Sequence, residues 1–280
     1  MRRLRSLARA SALLSALLAP LVTVPSIGCV IGYRGAVEVE GDFPLTDVDA
    51  VRVALPDTPI AVLGQPLATS LHIDGVWTSV GGSKRSAADN ASAPALNFAR
   101  EGRFGALTAV IPLQSADVVD LEVGSITMPD DRDLEIWTGV GDVEVAQMHG
   151  NISIDVDAGR VTVFGGDGGV GIDTGAGDLE IETTGNLDAH TGRGRIVVRQ
   201  DGVGGNDVIV STKRGDIEVT LRSDANLDLK IDAVGDIRVQ TRTVSTVTAG
   251  SFAREVGNGT VKIWLTTDAG SVTVRLDESL

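Results

Sequence analysis

The residue best placed for chemistry is the lone cysteine, Cys29. Arg2, Arg3, Arg5 and Arg9 form a basic start, an apolar run follows from Ala10 to Val24, and Ser26-Ile27-Gly28 leads directly into Cys29. A thiol behind a small residue at the end of such a leader reads as a lipobox, in which cleavage makes the lipidated cysteine the new N-terminus. Ser26 departs from that pattern, which has an aliphatic residue three places before the cysteine. Ordinary signal cleavage near Gly28 is the alternative. Residues 1–28 are therefore expected to be a signal peptide of lipoprotein type, and a membrane is the first expected partner, through the lipid. One cysteine excludes an intramolecular disulfide framework on either reading.

Two tryptophans are candidate ligand contacts. Trp137 and Trp264 each follow an Ile that should point inward, so each should point outward. There an indole can stack on a sugar or anchor a protein, unless lengthened turns or the chain ends cover it. His72, His149 and His190 sit at unrelated positions and read as turn or surface residues, with no metal site expected. Gly165-Gly166-Asp167-Gly168-Gly169 and Gly202-Val203-Gly204-Gly205-Asn206-Asp207 have a calcium-loop flavour. Each occurs once and out of phase, however, where stacked calcium sites need successive turns, so both read as plain turns. No Gly-x-Ser-x-Gly, His-Glu-x-x-His or phosphate-cradling loop is present. The expectation is no enzyme and no cofactor.

Short strands must position these residues. The chain has 34 glycines, only 3% aromatic residues, and an apolar set dominated by Val, Ile, Leu and Ala. β-Branched residues suit pleated surfaces and glycine suits tight corners. Gly141-Asp142-Val143-Glu144-Val145 recurs as Gly150-Asn151-Ile152-Ser153-Ile154 and as Gly159-Arg160-Val161-Thr162-Val163, then through later copies that begin at Gly177, Gly185, Gly194, Gly215, Gly235, Gly259 and Gly270. In each, a glycine corner precedes an alternation of polar and apolar residues. One such strand cannot bury its apolar side alone, but stacked copies can. Two nine-residue half-units make a coil of about 18 residues with a rise of ~4.8 Å. The predicted fold is all-β, a single-stranded β-solenoid or β-helix-like array, with a β-sandwich as the rival. The predicted inward residues are Val143, Val145, Ile152, Ile154, Val161, Val163, Leu179, Ile181, Ile196, Val198, Ile217, Val219, Ile237 and Val239.

If each coil stacks on the one before it in sequence, the residues after the corner glycines line up as Asp142, Arg160, Asp178, Arg195, Asp216 and Asp236. That column alternates in charge until Asp216 meets Asp236, which makes this pair the place to look for a cation. The ladder should set coil register and is not expected to be a ligand site.

Before residue 141 the pattern is less regular. Strands are predicted at Val51–Val53, Ile60–Val62, Leu71–Ile73 and Leu107–Ile111, with a surface loop or short helix between Gly81 and Ala95. Residues 29–44 are expected to be a tether, with Val37-Glu38-Val39 a possible first strand, and residues 45–280 a single β domain. Net charge is −14. Loss of the leader's four arginines leaves 20 basic against 38 acidic residues, about −18. Such a surface argues against nucleic acid and against docking on anionic lipid.

The run from Met128 through Pro129, Leu134-Glu135-Ile136-Trp137 and Gly141-Asp142-Val143-Glu144-Val145, with the serial glycine strands after it, resembles the putative adhesin or toastrack family of bacterial envelopes over roughly residues 45–276. That resemblance implies a right-handed β-solenoid, an extracytoplasmic place and a role in adhesion or envelope-stress systems; it carries over no catalytic residues. The expected function is a non-enzymatic envelope lipoprotein, periplasmic or surface-exposed, that binds an envelope protein or glycan. An accessory of the envelope-stress response is the alternative, and a carbohydrate-active β-helix enzyme a more distant one.

Overall fold

The computed structural model describes residues 32–112, 119–201, 206–222, 226–241, 245–255 and 258–277. The leader and Cys29 lie outside the described residues, as do Gly202–Gly205 of the second glycine-rich turn. The chain opens with β1 (Tyr33–Pro44), β2 (Ala50–Ala54), β3 (Ile60–Gln65), β4 (Ser70–Gly81), helix α1 (Lys84–Ala91), β5 (Ala95–Glu101), β6 (Phe104–Val110) and β7 (Val119–Pro129). A regular middle follows: β8 (Asp133–Val140), β9 (Val143–Ala146), β10 (Ile152–Ala158), β11 (Val161–Gly166), β12 (Val170–Ala176), β13 (Leu179–Thr183), β14 (Leu187–Thr191), β15 (Ile196–Gln200), β16 (Val208–Thr212) and β17 (Ile217–Arg222). The C-terminal end comprises β18 (Leu227–Gln240), β19 (Ser245–Glu255), β20 (Val261–Thr267) and β21 (Val272–Asp277). Residues 33–44, read from sequence as tether, are thus strand, because β1 pairs antiparallel with β4 from Tyr33↔Gly81 to Pro44↔Ser70.

In the middle, two successive strands form one rung, and rungs stack in parallel. Ile152 lies beside Leu134 on one side and Val170 on the other. Val161 lies likewise between Val143 and Leu179. The even-numbered strands β8 to β16 build one ladder, here ladder 1, and the odd-numbered strands β9 to β17 build ladder 2. Parallel pairing at this spacing is what stacked nine-residue half-units produce, and it differs from the hairpins of a sandwich. All fourteen predicted inward residues are buried, at 4% exposure or less. Each such Val, Ile or Leu contributes roughly 1.5–3 kcal/mol on leaving water.

Stacking order departs from chain order at both ends. β2 and β3 lie between β6 and β7 on one side and β8 and β9 on the other. At the far end β20 and β21 sit between β16 and β17 on the inside and β18 on the outside. β18 crosses both ladders and is covered by antiparallel β19. The outer layer at the N-terminal end is β4 and β1 over β7, with β5 on β6. Helix α1, N-capped by the Ser83 hydroxyl on the Ser86 amide, packs Ala87 and Ala91 onto β1 and β4. Gly35 of β1 gives the helix room, since a Cβ there would overlap the Ala87 carbonyl.

The corners explain the glycines. A Cβ on Gly177 would fall on the carbonyl oxygen of Gly159, and one on Gly194 on that of Gly177. Gly215, Gly270 and Gly235 continue the column, each against the preceding member. Beside it runs a ladder of side-chain acceptors. Asp142 Oδ1 accepts from the Arg160 amide at 2.8 Å, Asp178 Oδ1 from Arg195 at 2.8 Å, and Asp216 Oδ1 from Ser271 at 2.8 Å. Asp133, Asn151, Asn186 and Asp207 do the same at the opposite corner.

Two expectations about the charged column are therefore corrected. Its carboxylates bind backbone N–H groups of the next rung, while the Arg195 guanidinium reaches Glu218 at 2.5 Å. Asp216 does not adjoin Asp236, because interleaving puts Ser271 between them, and the Asp236 amide donates to Ser271 Oγ at 3.2 Å.

Candidate binding face

Alternation in β8 buries Leu134, Ile136 and Thr138 and turns Glu135 and Trp137 outward on ladder 1. Trp264 of β20 is outward on the same ladder by the same logic, between buried Ile263 and Leu265. Trp137 is 47% exposed and Trp264 38%. Among the described residues, no turn covers either. They stand five rung spacings apart, roughly 24 Å.

Each indole is instead met by cations, from the neighbouring rung at Trp137 and from both the neighbouring rung and its own strand at Trp264. Interleaving puts Arg52 of β2 opposite Glu135 and Ala54 opposite Trp137. The Arg52 guanidinium lies 4.3 Å from the Trp137 ring and 5.0 Å from that of Phe104. Its Nε donates to Glu135 Oε2 at 2.9 Å, which fixes the fork over the rings. Around Trp264 stand the ammonium groups of Lys230 at 5.0 Å and Lys262 at 5.8 Å. The Arg52 fork is held by Glu135, whereas the Lys230 and Lys262 ammonium groups lie 3.3 Å from Asp228 and 3.9 Å from Asp207.

Trp137 also lines a shallow groove of about 470 Å³ together with Ala54, Leu55, Pro56, Ala109, Asp155 and Asp157. Asp155 is the next rung's neighbour of Trp137, and Asp173 follows it in register. An aromatic plate, an apolar lining and carboxylates within one or two rungs make a surface that can stack a ring and accept hydrogen bonds from hydroxyl or ammonium groups.

Further along the face, His190 Nδ1 lies 2.6 Å from Ser211 Oγ and its Nε2 2.8 Å from Asp188 Oδ1. That connectivity resembles an acyl-transfer triad. The residues stand on a flat sheet face, with 44% and 60% of the His190 and Asp188 side chains exposed. The parallel pairing of β14 and β16 on both sides turns their amides into the ladder plane, so nothing there forms an oxyanion hole. His149 occupies a corner, where Nδ1 meets Asp130 Oδ2 at 3.0 Å and Nε2 meets Asp167 Oδ2 at 3.3 Å, tying successive corners together. His72 lies at the N-terminal end beside Glu40. Asp167 of the first glycine-rich turn accepts from Thr184 Oγ1 at 2.7 Å, as a turn residue would.

Sequence reasoning placed both tryptophans outward, as they are, but did not reach Arg52, Phe104, Asp155 and Asp157. Arg52 sits at an outward position of Val51-Arg52-Val53, the one available signal. Nothing in the order of residues says that this strand lies against Trp137.

No family model matches the chain, and no curated protein sequence matches it. Two solved structures are similar. One, named a putative cell adhesion protein from Clostridium sporogenes, is 11% identical, with 86% of this chain and 99% of that one covered and a TM-score of 0.36. The other, named a putative adhesin from Bacteroides fragilis, is 12% identical, with coverage of 85% and 97% and a TM-score of 0.41.

Proposed function

We propose that this chain is a non-enzymatic, adhesin-like binding module of the bacterial envelope, exported by its leader and held at the membrane by a lipid on Cys29. In this reading its rungs form a single-stranded, right-handed β-solenoid that displays the outer face of ladder 1 to an envelope glycan or protein. The observation that carries it is Trp137, a half-exposed indole fixed from one side by Arg52 and bordered by an apolar groove and the Asp155 and Asp157 carboxylates. Large exposed aromatics on a rigid sheet present contact area without an ordering cost. The flat face and the carboxylates suit hydroxyl-rich or cationic ligands.

The test is binding of the full chain to a glycan array and to envelope extract. Trp137→Ala should cut binding at least about tenfold, and Glu180→Lys, at an exposed position of ladder 2, should leave it unchanged. Equal binding by wild type and Trp137→Ala would remove this site from the account.

A further inference from the structure

The two ends of the array are finished differently. At the N-terminal end β1 carries Glu38, Glu40 and Asp42 and is packed by α1. Charge and a covering helix are the usual protections of a strand edge. At the other end β19 has β18 as its one strand partner among the described residues. Its eleven residues are exposed or half-buried throughout, and Val247 is 55% exposed. From Ser245 to Ala253 there is no charged residue, in a chain of net charge −14. No proline interrupts it either. An unprotected edge of this length is a template for another strand.

We infer that β19 is a self-association edge, and that its partner is β19 of a second copy, paired antiparallel about a two-fold axis through Gly250. Charge selects this partner. Two strongly acidic chains repel almost everywhere, and the neutral edge is where they can approach. The strand is also self-complementary. Centred on Gly250, Val247 faces Ala253 of the other copy, Ala249 faces Ser251, and Thr248 faces Phe252, so no like charges meet.

Thr248 and Phe252 pair with Ile237 and Ile231 of β18, on the core side, whereas Ala249 and Ser251 pair with Asp236 and Asp232, on the outer side. The symmetric register therefore keeps core-side residues with core-side residues. Gly250, at φ 85°, turns the edge at the axis, so the pairing runs as two segments, one on each side, with roughly eight main-chain hydrogen bonds in all. β18 and β19 span both ladders with a register shift at Ala233/Asp236, so a two-fold axis at this corner sets ladder 1 of one copy beside ladder 2 of the other. Two arrays joined in this way lie end to end with their β1 ends pointing apart, the arrangement needed for contact between two facing surfaces.

Light scattering of the full chain carrying Cys29→Ser, at concentrations up to about 100 μM, tests this. Wild-type β19 should give a dimer. The double variant Ala249→Lys/Ser251→Lys should be monomeric, because lysines would face lysines across the axis, although in its own chain each would sit opposite an aspartate. The double variant Ala249→Glu/Ser251→Lys should restore the dimer with opposite charges in register. Circular dichroism should show all three folded. A monomeric wild type, or two double variants with the same mass, would overturn the inference. Neither result bears on binding by Trp137.

Discussion

The middle rungs and the C-terminal end are built from the same glycine-led strand, yet they are connected differently. In the middle, corner bonds join residues 17, 18 or 21 positions apart. At the C-terminal end the equivalent bonds from Asp207 to Lys262 and from Asp216 to Ser271 span 55. The chain leaves β17, skips a place, lays down β18 and β19, and returns to fill the gap. The N-terminal end does the same in reverse, and the Arg52–Glu135 contact spans 83 residues. A middle rung can form on its sequence neighbour, whereas an end rung must wait for distant chain to close. The array therefore cannot grow or fray like an ordinary repeat stack, in which each unit depends only on its neighbours. It also explains why β19, and not the last strand of the chain, forms the free edge.

The sharpest way to break this comparison is to delete residues 258–280. If β20 and β21 are internal, the deletion leaves β18 with nothing beneath it and should abolish cooperative unfolding of the C-terminal half by circular dichroism. An edge rung would cost only its own contacts.

A smaller effect separates corner from strand. Gly177→Ala places a methyl on the Gly159 carbonyl and should destabilise by about 3 kcal/mol or more in denaturant unfolding. Gly171→Ala has its nearest atom, the Ile152 carbonyl oxygen, at 3.9 Å and should stay within about 0.5 kcal/mol.

Smaller still is the acceptor ladder. Asp178→Ala removes the carboxylate that accepts from the Arg195 amide and should cost about 1 kcal/mol. Arg160→Asp keeps the residue's own amide, which is the group that binds Asp142, so the change in melting temperature should be less than half as large. A larger effect at Arg160 would restore the ion-pair column in place of the backbone one.

The middle was legible because one physical rule repeats there. Period-two alternation after a glycine assigns Ile217 to the core and Glu218 to the surface without knowledge of any neighbour. Stacking order was not legible, since Gly235-Asp236-Ile237 and Gly270-Ser271-Val272 carry equivalent signals and only loop geometry and end packing decide which lies inside. The same ambiguity hid half the candidate site. Trp137 could be assigned outward from Ile136, but its partner Arg52 reaches it only because β2 is inserted beside β8. Of β1 only Val37-Glu38-Val39 was legible, because Gly35, Gly41 and three acids weaken its strand pattern, and its pairing with β4 supplies what the pattern lacks.

Native-state hydrogen exchange resolved by segment tests the central claim most directly, because it ranks β19, β18 and β20 with β21 in a single experiment. In the Ala249→Lys/Ser251→Lys variant, where no second copy covers β19, the interleaved order predicts that amides of Val261–Thr267 and Val272–Asp277 exchange as slowly as those of β16 and β17, that β18 is intermediate, and that the outward amides of Ser245–Glu255 exchange fastest. If the last strands of the chain exchange fastest and β18 is as protected as the middle rungs, the array is stacked in chain order and the free edge is not β19.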